Sequence, residues 1–215
     1  GVRARLGKVA ATMLLVTPVW ADEVVILALG DSLTQGFGLP EADGFVPRLQ
    51  AWLDARDVDT RLINGGVSGD TTAGGAARVA WSLTPEVDAM IVTLGGNDLL
   101  RGLDPGEARK NIETILQVAA AEEVEVLLVG MQAPGNYGPE YKAAFDTLYP
   151  NLAITYDTLY FENFFSGLGT DELSQARSFF QADGIHPNAE GVARIVAAIG
   201  PSVEELANLS ASSKE

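Results

Sequence analysis

The chain has 215 residues, 47% of them hydrophobic and only 7% aromatic, which is enough for one well-buried domain and argues against two. Its 29 Asp and Glu outnumber 14 Lys and Arg, giving a formal net charge of −15. A surface this acidic keeps the protein soluble and repels nucleic acid and anionic lipid headgroups. Cysteine is absent and histidine occurs once, which excludes a disulfide framework, a thiolate nucleophile, Cys-based zinc sites and the common multi-histidine metal centres.

At the N-terminus, Arg3, Arg5 and Lys8 precede a short apolar run from Val9 to Trp20. Val19-Trp20-Ala21 then offers tolerated residues at the positions a signal peptidase reads. The pattern predicts a signal-like segment over 1–21, cleavage near Ala21, and a periplasmic or secreted product. The alternative is a retained N-terminal helix. The run is too short to span a bilayer comfortably, so no stable membrane span is expected.

From Glu23 the chain alternates between buried strands and helices. Val24 to Leu29 is a continuous β-branched and aliphatic run ending at Gly30, as in a parallel strand covered on both faces. Residues 43–56 read as a helix with Phe45, Leu49, Trp52 and Leu53 on one face. A second strand over 58–64 leads into a glycine-containing turn at 65–70, then a helix over 71–83 weakened by Gly74 and Gly75. The third strand, 89–94, ends in Gly95-Gly96-Asn97-Asp98. Pro105 opens an amphipathic helix through Ile112, Ile115, Leu116 and Ala119. A fourth strand over 124–129 is followed by a Gly/Pro/Asn loop at 131–139 and a helix from Glu140 to about Leu148. A fifth strand is placed near 158–161, and 162–182 reads as irregular. Pro187 starts a last helix with Val192, Ile195, Val196 and Ile199 inward, and a polar, frayed tail follows from Asn208. A single domain over 22–207 results: an open parallel sheet with helices on both faces, whose ligand site lies beyond the carboxyl ends of the strands.

The unusual polar clusters fall at those ends. Ser32, two residues past Gly30, is either a helix N-cap or a nucleophile aimed at a cleft. A hydroxyl needs a base to take its proton, and His186 is the only histidine. In Asp183-Gly184-Ile185-His186-Pro187 the acid stands three residues before the imidazole, close enough to bond Nδ1 and leave Nε2 facing the serine. A lone loop histidine can also be merely structural. Acyl transfer further needs donors for an oxyanion; Ser32 N–H, Gly69 N–H and the Asn97 amide all lie in strand-end loops and can converge. Gly69 read singly is a turn residue, and Asn97 a partner for loop carbonyls.

Four ordered blocks, Gly30-Asp31-Ser32-Leu33, Asn64 through Thr71, Leu94 through Asp98 and Asp183 through Pro187, resemble the SGNH (GDSL-type) hydrolase family from about Val24 to Ala207. Ala133 through Gly138 is similar to its bacterial periplasmic acyl-CoA thioesterase I / lysophospholipase L1 / arylesterase branch. The resemblance implies a three-layer α/β/α sandwich with a central five-stranded parallel sheet of flavodoxin-like order, and neither metal nor cofactor. It implies Ser32 as nucleophile, His186 as base, Asp183 as its orienter, and Ser32, Gly69 and Asn97 as the oxyanion hole. It also implies a mobile loop at about 98–103. Asp98, Leu99, Leu100 and Leu103, with Pro134, Asn136 and Tyr137 of the 131–139 loop, are the expected substrate-binding residues.

The expected activity is hydrolysis of small or lipid-like acyl esters, including aryl esters, acyl-thioesters or lysophospholipids. The oligomeric state is left open. Other readings are a carbohydrate acetylesterase with a more polar cleft and a non-catalytic binding module of the same fold. A nucleotide-binding protein is disfavoured because the chain lacks both a Gly-x-Gly-x-x-Gly turn after strand one and a Gly-Lys-Ser/Thr phosphate loop. The Gly-x-Ser-x-Gly elbow of α/β-hydrolases would need glycine where Thr34 stands.

Overall fold

The computed structural model describes residues 23–169 and 176–213, so the signal-like segment lies outside the described residues. Five parallel strands, β1 (Val24–Gly30), β2 (Thr60–Gly66), β3 (Ala89–Thr93), β4 (Glu125–Val129) and β5 (Leu159–Phe161), form one sheet in the order β2-β1-β3-β4-β5. Among the described residues seven α-helices surround it, the first six between strands and the last after β5: α1 (Ser32–Gln35), α2 (Phe45–Asp54), α3 (Thr72–Ser82), α4 (Gly96–Leu100), α5 (Pro105–Ala121), α6 (Pro139–Tyr156) and α7 (Ala189–Ser213). Packing of α2 on α7, and of α3 and α6 on α5, makes the two outer layers of an α/β/α sandwich. This is the flavodoxin-like order, in which the chain leaves β1 in one direction and β3 in the other. The crevice that opens between those two strand ends positions the site.

All residues of β1 and β3 are buried, as their unbroken apolar sequences require. β2 is an edge strand, and Gln50 of α2 covers it: its Nε2 donates to Thr60 O at 2.8 Å and its Oε1 accepts from Leu62 N–H at 2.8 Å. Gly74 and Gly75, which weaken α3 by propensity, are there for close approach. A Cβ on Gly75 would collide with Leu94, and one on Gly74 with the Asp70 carboxylate. The two helices α2 and α7 meet in the same way, with the Trp52 ring seated on Gly200.

Two helices depart from the sequence reading. The expected end near Leu148 is too early, because α6 continues through Pro150 to Tyr156. Phe145, Leu148, Tyr149, Leu152 and Ala153 form one buried face across the proline, and burying that face outweighs the lost backbone bond. The last helix begins at Ala189 rather than Pro187, since the Asn188 side chain accepts from Glu190 and Gly191 N–H and caps it. The frayed tail expected from Asn208 is likewise corrected: α7 runs to Ser213, held by buried Leu206, Ala207 and Ser210. Residues 162–169 and 176–182 are irregular as expected, apart from 3₁₀ turns at Ser166–Leu168 and Arg177–Phe179.

Candidate active site

A Cβ on Gly30 would strike Thr34, so only glycine lets β1 turn this sharply into α1. Asp31 is the N-cap of α1, its Oδ1 accepting from Leu33 N–H at 2.9 Å. The capping role open to Ser32 is therefore filled by its neighbour. The Ser32 hydroxyl instead stands 2.9 Å from His186 Nε2.

His186 arrives on a tight loop turned by Gly184, which has φ +68°. Asp183 Oδ2 lies 2.7 Å from His186 Nδ1, while its Oδ1 accepts from Ile185 and His186 N–H at 2.9 and 3.1 Å. The imidazole bond, followed by these two backbone bonds, holds the Asp183 carboxyl down at about 2. An ionised acceptor at Nδ1 keeps the ring proton there and leaves Nε2 to accept from the Ser32 hydroxyl.

Of the three oxyanion candidates, Ser32 and Asn97 line one cleft, and Gly69 lies outside that lining. Neither Ser32 N–H nor Gly69 N–H has an acceptor among the described residues. Gly69 sits at φ +83°, in the left-handed region, and its carbonyl accepts from Arg101 Nη2 at 2.8 Å. Asn97 Nδ2 donates to Asp70 O at 2.9 Å and to Asp31 Oδ2 at 3.2 Å. Behind them Arg78 pairs with Asp70 at 2.7 Å and donates to Gly30 O at 2.9 Å, joining the Gly69 loop to the end of β1.

Asp31 is only 1% exposed, and burial pushes its carboxyl from 3.8 up to about 6 against the pull of its hydrogen bonds. The unfolded chain thus loses this proton first, and the stability it supplies at low pH is lost as pH rises through about 4 to 6. Relative to Asp31→Asn, the unfolding free energy of the native protein should fall by up to about 3 kcal/mol between pH 4 and 7. Urea melts of both proteins across that range measure the difference, and a flat difference would contradict the shift.

Beside Ser32 and Asn97 opens a cleft of about 320 Å³. Leu99, Leu100, Pro134, Asn136 and Tyr137 line it as expected. Asp98 does not. It is 2% exposed, with its carboxylate bound to the N–H and hydroxyl of Thr72, and so fastens α4 to the start of α3. Leu103 is also absent from the lining; its carbonyl accepts from the Tyr141 hydroxyl at 2.8 Å.

Met131, from the expected 131–139 loop, completes the apolar wall with Phe165, Phe180 and Ile185, and sequence reasoning missed the last three. One available signal was that Phe161, Phe164, Phe165, Phe179 and Phe180, of eight Phe in all, cluster where no periodicity explains them. Among the described residues, no group of three His, Asp or Glu side chains is disposed to hold a metal. Nor, among them, is any helix long and apolar enough to cross a membrane.

Residues 28–194 match the model of the GDSL-like lipase/acylhydrolase family. Esterase TesA of Pseudomonas aeruginosa is 37% identical over 206 residues, 95% of this chain and all of that protein. Thioesterase 1/protease 1/lysophospholipase L1 of Escherichia coli K12 is 33% identical over 184 residues, 85% of each chain. Among solved structures, the psychrotrophic esterase EstA of a Pseudoalteromonas species, inhibited by monoethylphosphonate, superposes with a TM-score of 0.77 at 28% identity. That match covers 86% of this chain and all of the other.

Proposed function

The chain belongs to the GDSL-like lipase/acylhydrolase family and is an ester hydrolase, and on that premise we propose that Ser32, His186 and Asp183 carry the reaction through an acyl-enzyme. The observation that carries this reading is the continuous pair of bonds from Asp183 through His186 to Ser32, at 2.7 and 2.9 Å. Ser32 Oγ attacks the carbonyl as its proton passes to His186 Nε2, and Asp183 stabilises the imidazolium. The carbonyl electrons move onto the oxygen, which Ser32 N–H, Gly69 N–H and Asn97 Nδ2 meet. Collapse expels the leaving alcohol or thiol, which takes the proton from Nε2. Water then repeats both steps and releases the acid.

Asn97 enters this scheme already held. Its bond to Asp31 is the longer of the two and the one an oxyanion would compete for. Asn97→Ala should lower kcat by about 10²–10³-fold with little change in KM, because the bond strengthens only as charge develops. Steady-state kinetics on an aryl ester measure this, and a change confined to KM would count against the role.

The apolar wall of the cleft favours the acyl chain as its occupant over an acetyl group on a sugar. Acyl-thioesters and lysophospholipids are the further substrates that the name of the Escherichia coli relative supports. The direct test is reaction with a fluorophosphonate, which should modify one residue, Ser32, as read by mass spectrometry of the peptide containing it. Modification elsewhere, or none, would overturn the assignment. Export to the periplasm or beyond rests on the charged start, apolar run and Ala21 site of the segment preceding Glu23; N-terminal sequencing of the cell-derived protein reads it directly.

A further inference from the structure

An ester has two ends, and the cleft beside Ser32 accounts for only one. The leaving oxygen must come within reach of His186 Nε2, since that nitrogen supplies its proton. The leaving group therefore departs along the imidazole. There the Phe37 ring lies against His186, centroids 4.6 Å apart and planes tilted by 37°, while remaining 49% exposed. Phe37 is also part of the wall of a second cavity of about 600 Å³, which it shares with Gln35, Leu39, Val46, Pro47 and Leu62. This groove has no lining residue in common with the acyl cleft.

Phe37 is held from both sides. Its N–H donates to Ser32 O at 3.1 Å, and its carbonyl accepts from Gln181 Nε2 at 2.8 Å. Gln181 also donates its backbone N–H to His186 O at 2.8 Å and its side-chain amide to Pro187 O at 3.0 Å. The backbone that carries the ring is thus tied to both nucleophile and base.

The groove wall also indicates what it would take. Most of its side-chain amide groups are already engaged: Gln50 with Thr60 O and Leu62 N–H, Gln35 Oε1 with the Ser68 hydroxyl, and Asn64 Oδ1 with Gly66 N–H. Among the described residues Glu41 is the one charged residue in the lining, so none of them offers a cation to meet a phosphate. What it offers a ligand is the Phe37 face and aliphatic surface, together with the Glu41 carboxylate and other polar atoms that would turn an anionic group away. We propose that this groove is the leaving-group subsite and that Phe37 receives an uncharged aromatic alcohol; the proposal rests on the assignment of Ser32 and His186 above.

The test holds the acyl group at butyrate and compares naphthyl with trifluoroethyl esters in the wild type, Phe37→Ala and Phe37→Trp. Phe37→Ala should lower the naphthyl-to-trifluoroethyl ratio of kcat/KM by about three- to tenfold, the range expected for one lost aromatic pair. Phe37→Trp should restore the ratio. The rate of Ser32 labelling by a fluorophosphonate, whose fluoride leaving group is too small to fill the groove, reports separately on the nucleophile and base. An unchanged ratio in Phe37→Ala, or a ratio unchanged because both esters and the labelling rate fall together, overturns the subsite and leaves Phe37 at most a support for His186. A wild-type enzyme that does not label at Ser32 would instead overturn the underlying assignment.

Discussion

Replacing Ser32 with alanine is expected to reduce kcat by about 10⁶-fold, and His186→Ala by about as much. Combining the two should cost little more than either alone, because nucleophile and base act as one unit and neither activates water without the other. Turnover that survives should still exceed the uncatalysed rate by about 10³-fold, supplied by binding and the oxyanion donors. Ser32 N–H, Gly69 N–H and Asn97 remain in place when only the hydroxyl is removed. Stability should barely move, because Asp31 rather than Ser32 caps α1. Kinetics on an aryl ester, a thermal melt and fluorophosphonate labelling of the same preparation separate the effects. A folded Ser32→Ala protein with normal hydrolysis would remove Ser32 from the mechanism.

The split between neighbours at the end of β1 also shows how far the sequence could be read. The meeting of Ser32, His186 and Asp183 was legible because a serine at a strand end, a single histidine and an acid three residues before it have few other arrangements. The sheet was legible for a similar reason, since β1 and β3 are unbroken apolar runs. Asp98 misled because its neighbours Asn97 and Leu99 do face the site. In the one-turn helix α4 its side chain points the other way, to Thr72. The end of α6 misled because Pro150 is a strong local signal that a buried face overrides. Phe165 and Phe180 carry no periodicity, and only tertiary contact brings them to the cleft. The holding of Asn97 by Asp31 and Asp70 likewise depends on how two loops meet across the β1/β3 crevice, which no local pattern encodes.

Asp183→Asn should reduce kcat by about 10⁴-fold while leaving the fold and KM nearly unchanged. The argument lies in which atoms face which. Asparagine can keep its oxygen where Oδ1 now accepts from Ile185 and His186 N–H, so the 183–187 loop retains its shape. The group then facing His186 Nδ1 is an NH₂ donor. It favours the tautomer with its proton on Nε2, the nitrogen that must accept from Ser32. The geometry survives and the proton is in the wrong place. In the native protein Asp183 is held at about 2 and stays ionised at any pH where the enzyme would work. Its stabilising share is present above the unfolded value near 3.8 and is lost only as pH falls through about 2. Its side chain is 37% exposed, so solvent screens that share and melting at neutral pH should shift little. Asp183→Ala provides the contrast: it removes the backbone acceptor too, and should loosen the loop as well as slow the chemistry. An Asp183→Asn enzyme within tenfold of wild type would show that something other than this carboxylate sets the state of His186.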